Sequence, residues 1–251
     1  MRQIQLCMFR FLSVLIFVLM FSNLSAQEVA FLNKYKVPIQ DVNAYEPVYF
    51  KITSQEQGKS VAKTFCMDST LIHEKHTIKS VGDKELVLYD ADYYGNGSLR
   101  SLKESVDEKK VFIQEYYENE KVKSKRLLLG EEVLEESYFD EEGSPRSKIE
   151  EEHPEPFGGM EGWNKYLVKN LKYPKEARKK GIGGIAYLYF KIDEEGVMQD
   201  VAITNPESIS PLLAEEAIRV MTSYPYVWTP AKVDGKPVNV EMRFPLRFVS
   251  P

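Results

Sequence analysis

The sequence predicts an α+β protein made of two unlike parts, and three observations predict it. A pattern of short strands and polar turns recurs three times between Asp92 and Ser147. Beyond Gly159 the apolar residues adopt helical spacing and then alternate. A late strand from Val238 to Phe248 sets apolar and polar residues strictly in turn.

The first residues stand apart from both parts. Arg2 and Arg10 precede the apolar run Phe11 to Phe21, and Ser25-Ala26 places small residues before Gln27. This is the layout of a secretory signal over residues 1–26, cut after Ala26. The run is shorter than the ~20 apolar residues that span a bilayer. The competing reading is an uncleaved inner-membrane anchor over Met8 to Leu24, interrupted by Arg10 and Ser13. Cys7 lies upstream of the run and no cysteine sits at the cut, which argues against a lipid-anchored N-terminus.

Removing the signal leaves about 225 residues, enough for one large or two small domains. Cys66 is then the single cysteine, so packed cores rather than an internal disulfide must stabilise the chain. The signal carries two arginines and no acid, so its loss takes the formal charge from -5 to -7. Nucleic acid and anionic lipid reward clustered Lys and Arg and are not expected partners.

Residues 27–147 read as a β-hairpin module. Val48-Tyr49-Phe50-Lys51-Ile52, Leu86-Val87-Leu88-Tyr89 and Val111-Phe112-Ile113 are β-rich, with turn residues between them. Asp92-Tyr93-Tyr94-Gly95-Asn96-Gly97-Ser98 recurs as Glu115-Tyr116-Tyr117-Glu118-Asn119-Glu120-Lys121 and again from Ser137-Tyr138-Phe139, at spacings of twenty-three and twenty-two. Each repeat fits one hairpin, and single hairpins need neighbours, so the repeats stack side by side. The pattern resembles MORN-type repeats over roughly Phe65 to Ser147. Gly97 and Gly143 supply a turn glycine that Glu120 replaces in the middle repeat. The tyrosines read as packing between repeats, with a carbohydrate or peptide platform as the other reading.

Residues 148–159 read as an acidic Pro/Gly linker: Glu150-Glu151-Glu152, Pro154, Pro156, then Gly158-Gly159. A dozen extended residues reach only ~40 Å. Residues 160–251 form the second part. Trp163, Tyr166, Leu167, Val168 and Leu171 give a helix with one apolar side, and Pro174 opens a second helical piece that Gly181 stops. Ile185 to Ile192 is a strand with Ala186, Leu188, Phe190 and Ile192 on one face; Val197, Val201 and Ile203 continue that face after a turn at Asp193-Glu194-Glu195-Gly196. Leu213, Ala217, Val220 and Met221 make the buried stripe of the last helix, leaving Glu215, Glu216 and Arg219 to water.

In the late strand, Val238, Val240, Met242, Phe244, Leu246 and Phe248 point one way and Asn239, Glu241, Arg243, Pro245 and Arg247 the other. Pro245 lacks an N–H, which places its strand at a sheet edge or end. An edge offers unpaired backbone groups to a peptide, or to a second copy of the chain as a homodimer.

Signals for chemistry are weak by comparison. His73 and His76 lie in a strand-like context without a third ligand, His153 falls in the linker, and Cys66 has no local Cys or His partner. No phosphate loop, dinucleotide fingerprint or nucleophile elbow occurs. The expectation is therefore a binding protein with no catalytic residue, cofactor or metal.

Phe157-Gly158-Gly159, Tyr173-Pro174-Lys175-Glu176-Ala177, Gly181-Ile182-Gly183-Gly184, Glu216-Ala217, Trp228-Thr229-Pro230 and Gly235-Lys236-Pro237-Val238 with Phe244-Pro245-Leu246 resemble the C-terminal domain of the TonB family, from about Glu155 to Phe248. The resemblance implies about three antiparallel strands with two helices on one face. It also implies a periplasmic energy transducer in transmembrane transport, whose partners are outer-membrane TonB-dependent transporters. Their plug peptide, the TonB box, would add as a strand along Val238, Asn239, Val240, Glu241, Met242, Arg243 and Phe244, with alternate side chains giving selectivity. The stretch before the Tyr-Pro pair touches the peptide in the family, which marks Leu171, Lys172 and Tyr173, although Asn170-Leu171-Lys172 lacks the family's glutamines. Force-transmitting members keep a membrane helix and a long proline-rich arm; here a removable signal and a hairpin module stand instead. A retained N-terminus would allow inner-membrane motor partners, whereas a cleaved one leaves a periplasmic binder. The alternative is a cell-envelope scaffolding protein with no energy-transducing role.

Overall fold

A computed structural model describes residues 27–79, 85–107 and 109–249, so the signal or anchor lies outside the described residues. Among the described residues sixteen strands and three helices follow one another. The first ten strands are β1 (Glu28–Leu32), β2 (Tyr49–Glu56), β3 (Lys59–Cys66), β4 (Leu71–Lys79), β5 (Glu85–Tyr93), β6 (Leu99–Ser105), β7 (Lys110–Tyr116), β8 (Val122–Leu129), β9 (Glu132–Phe139) and β10 (Pro145–Arg146). They form one sheet in which sequence order is also spatial order.

The three sequence repeats are the hairpins β5–β6, β7–β8 and β9–β10. Gly97, Glu120 and Gly143 occupy the same turn position with φ of 85°, 66° and 92°. Glu120 keeps the turn because the Tyr117 N–H still donates to the Lys121 carbonyl, the Glu120 N–H to the Tyr117 carbonyl, and Asn119 Oδ1 accepts from the Lys121 N–H at 3.0 Å. Neighbouring repeats are stapled at their turns. Tyr94 donates its hydroxyl to the Tyr116 carbonyl at 2.8 Å, and Asn119 and Lys121 donate to the carbonyls of Glu141 and Glu142.

The chain divides into two compact units, and the second comprises Leu32–Pro47, Ser137–Asp140 and Ser144–Pro251. Its elements are β11 (Glu151–Glu152), α1 (Gly159–Asn170), α2 (Lys175–Lys179), β12 (Gly184–Ile192), β13 (Met198–Ile203), α3 (Pro211–Thr222), β14 (Ala231–Val233), β15 (Lys236–Val238) and β16 (Val240–Phe248). Two three-stranded sheets result, ordered β13-β12-β16 and β11-β14-β15. The stretch read as a linker thus contributes a strand: β11 pairs with β14, and Glu155 bridges to Thr229.

The core lies between one face of β13-β12-β16 and the helices. Ala186, Leu188, Phe190 and Ile192 pack with Trp163 and Leu167 of α1 and with Leu213, Ala217, Val220 and Met221 of α3, the faces that the alternation and helical spacing predict. Three details differ. Val168 is 86 % exposed and Val197 is exposed in the turn before β13, so neither joins the core. Glu216 does not face water: only 9 % exposed, it accepts from Arg219 Nε and Nη2 at 2.6 Å and from the Lys172 N–H, which joins α3 to the end of α1. The late strand is broken at Asn239, with Val238 in the smaller sheet and Val240 onward in the larger.

Candidate functional site

Strand β16 lies at the edge of its sheet, and the register shows which of its backbone groups look outward. It pairs with β12 through nine unbroken positions, from Gly184 opposite Phe248 to Ile192 opposite Val240. Tyr187 stands opposite Pro245. Its N–H goes to Asn205 Oδ1 at 2.9 Å and its carbonyl takes the Thr204 N–H at 2.8 Å, both away from β16. The carbonyl of Ile185, opposite Arg247, likewise takes the Asn205 amide at 3.0 Å. Opposed residues in an antiparallel ladder exchange both bonds or neither. The backbone groups of Glu241, Arg243, Pro245 and Arg247 are therefore the outward set, while Val240, Met242 and Phe244 bond to β12.

This explains the proline. Pro245 occupies an outward position, so its missing N–H costs the sheet nothing and only interrupts what the edge can offer a newcomer. On the N-terminal side of Pro245, the Glu241 and Arg243 N–H and C=O groups remain available. Among the described residues they have no backbone hydrogen bond beyond the sheet.

The side chains sort in the same way. Val240, Met242 and Phe244 turn towards the helices and are half-buried; the Phe244 ring meets Trp163 at 5.7 Å. Glu241 and Arg243 turn to the helix-free face and are exposed. Burial pushes the Tyr189 hydroxyl up, and its hydrogen bond with the Glu241 carboxylate pushes it further. Arg243 Nη2 donates to the Tyr35 carbonyl at 3.2 Å.

Of the other predicted contacts, Val238 sits opposite Ala231 in the smaller sheet, outside the β16 ladder. Asn239 donates to Glu194 Oε1 at 3.3 Å. Leu171 caps α1 through its N–H, and the Lys172 N–H goes to Glu216. Tyr173 donates its hydroxyl to the Ile182 carbonyl and sets its ring 5.9 Å from Phe248. That triplet therefore lies towards the Phe248 end of β16, on the far side of Pro245 from Val240 to Phe244.

Sequence reasoning missed the segment from Asn33 to Asp41, which packs on the helix-free face of the same unit. The Tyr35 ring lies 5.0 Å from that of Tyr189, which is 9 % exposed. Asn33 donates to the Thr204 carbonyl at 3.0 Å, and the Glu207 carboxylate accepts the N–H groups of Gln40 and Asp41. A cavity of about 80 Å³ lies among Asn33, Val37, Ile39, Thr204 and Glu207. It is too small for an organic ligand, which needs ~300 Å³ or more.

His73 and His76 are in β4, bonded at 2.8 Å to Asp90 and Glu74 respectively. Cys66 is half-buried at the end of β3. Among the described residues no group of three His, Cys, Asp or Glu is placed to hold a metal ion, and no helix is long and apolar enough to cross a membrane.

Residues 169–250 match the family described as the Gram-negative bacterial TonB protein C-terminal, which is what this part of the chain is similar to. No curated protein matches the chain.

Proposed function

We propose that this chain is a TonB-like protein of the cell envelope that binds the plug peptide of outer-membrane transporters by strand addition. The observation that carries the reading is the outward edge of β16, with Glu241 and Arg243 offering both backbone groups before Pro245. A peptide strand there gains main-chain bonds of ~0.5–1.5 kcal/mol each, and alternate side chains meet Met242 and Phe244 on one face and Glu241 and Arg243 on the other. Export by the signal over residues 1–26 places the binding in the periplasm. If that segment is retained as an anchor, inner-membrane motor proteins become partners and the chain an energy transducer. The role needs no catalytic group or cofactor.

The test is a titration of residues 27–251 with plug peptides from transporters of the same cell. Binding is expected, and Arg243→Pro should weaken it several-fold more than Arg243→Met does, because both remove the guanidinium that reaches Tyr35 but only proline also removes the outward N–H, as Pro245 already does. No binding by the parent protein at millimolar peptide would sink the reading. A scaffolding role is favoured instead if the protein forms a concentration-dependent dimer that excludes the peptide, since the same edge can pair with a second copy.

A further inference from the structure

Most of the proposed peptide edge comes from one short stretch, but one element beside it comes from far upstream. Asn33 to Asp41 is fixed to the helix-free face at three separate points: the Asn33 amide on Thr204, the Tyr35 ring on Tyr189, and the Glu207 carboxylate on the N–H groups of Gln40 and Asp41. The segment is also rigid in itself, because the Asn33 side chain accepts the N–H groups of Tyr35 and Val37 at 2.9 and 3.1 Å. The Tyr35 carbonyl is thus held in place, and it accepts from Arg243. A carbonyl carries no net charge. It orients the guanidinium while leaving the positive charge and other N–H donors of Arg243 for a newcomer.

Glu241 lies two positions earlier on the same exposed face, and Tyr189, whose ring lies 5.0 Å from that of Tyr35, stands opposite Arg243 in the ladder. The edge therefore displays a fixed cation and, about 7 Å away along the strand, an exposed carboxylate. An added strand must meet both, since its own same-face residues have that spacing.

We infer that Tyr35 is a specificity-determining residue of this site: by fixing Arg243 it makes the edge select a strand with Asp or Glu opposite Arg243 and no acid opposite Glu241. The inference rests on strand addition to β16. An opposite-charge pair across neighbouring strands contributes up to ~1 kcal/mol, a preference of up to about fivefold.

The experiment uses residues 27–251 and seven-residue Val/Thr peptides in which one Asp is walked along the sequence, each with its Asn counterpart, titrated by calorimetry. One Asp position should bind two- to fivefold more tightly than Asn, and the position two residues away on the same face should show the reverse. Arg243→Met should abolish the preference. Tyr35→Ala should erase most of it while leaving the Asn peptides within twofold, and Tyr35→Phe should keep it. A loss of structure alone would weaken Asp and Asn peptides equally. Should Tyr35→Ala fail to fold, Asn33→Ala, which cuts the bond to Thr204, takes its place with the same expectation. Asn peptides that bind without any Asp preference, or a preference that survives both Tyr35→Ala and Asn33→Ala, overturn this inference alone. Failure of every peptide to bind overturns strand addition and this inference with it.

Discussion

In the hairpin sheet Leu102, Phe112 and Tyr116 are half-buried, whereas on β12 Leu188, Phe190 and Ile192 are 0–1 % exposed. The first region holds its strands by ladder bonds, cross-strand pairs and bonds between successive turns; the second holds them by a closed apolar core under two helices. A binding edge can be kept open where a core already holds its strand. β16 is secured by Leu246 and Phe248 in the core at one end and by nine paired positions along one side, so its other side needs no partner to stay folded.

The largest effect should separate the two regions directly. Phe190→Ala is expected to cost about 3–5 kcal/mol and Phe112→Ala about 1 kcal/mol or less. Native-state amide hydrogen exchange, followed on β12 for Phe190→Ala and on β7 for Phe112→Ala, reads each loss in its own unit. Equal losses would show that the hairpin sheet has a closed core of its own. A glycine pair sharpens the contrast. At Gly196, φ 81°, an added Cβ would stand 1.9 Å from the Trp228 carbonyl oxygen, whereas at Gly97, φ 85°, it would meet nothing within 4 Å. Gly196→Ala should therefore cost about 2–4 kcal/mol and Gly97→Ala only about 1–2, the strain of the left-handed backbone. A thermal melt showing equal costs would remove the close approach from the account.

Next comes Glu216, whose substitution by Gln should cost about 1–3 kcal/mol by leaving Arg219 and the Lys172 N–H poorly paired. Burial raises its pKa, but hydrogen bonds from Arg219 and the Lys172 backbone outweigh burial and hold it below the ordinary 4.5. A depressed carboxyl stabilises the fold above the unfolded value, and that contribution fades as pH falls below about 4.5. The gap between Glu216→Gln and the parent should narrow in that window; a constant gap would contradict the charged pairing. The smallest effect lies in the hairpins: Glu120→Gly should stabilise by about 1 kcal/mol by relieving a positive φ, seen as a higher melting temperature by circular dichroism.

Alternation over Ile185–Ile192 and Val240–Phe248, helical spacing from Trp163 and the twenty-two to twenty-three residue repeat made most of the fold legible, because each is a local signal of which face meets the core. Pro245 marked the edge for an equally local reason. The break at Asn239 was not legible, since Val238 continues the alternation although its ladder partner is Ala231. Glu216 misled because its helical position suits solvent, while its partner at Lys172 is fixed only by tertiary packing. Tyr35 gave no warning at all. Its contacts to Tyr189 and Arg243 span more than 150 residues of sequence, and no spacing rule reaches that far.

Strand β16 bonds β12 through its even-numbered residues and is open through its odd ones. Amide hydrogen exchange by NMR, with and without plug peptide, reads this pattern residue by residue. Without peptide the amides of Val240, Met242 and Phe244 should be protected and those of Glu241 and Arg243 should exchange rapidly; peptide should then slow Glu241 and Arg243 at least tenfold and leave the even set unchanged. A bound peptide that leaves Glu241 and Arg243 in fast exchange would contradict strand addition at this edge.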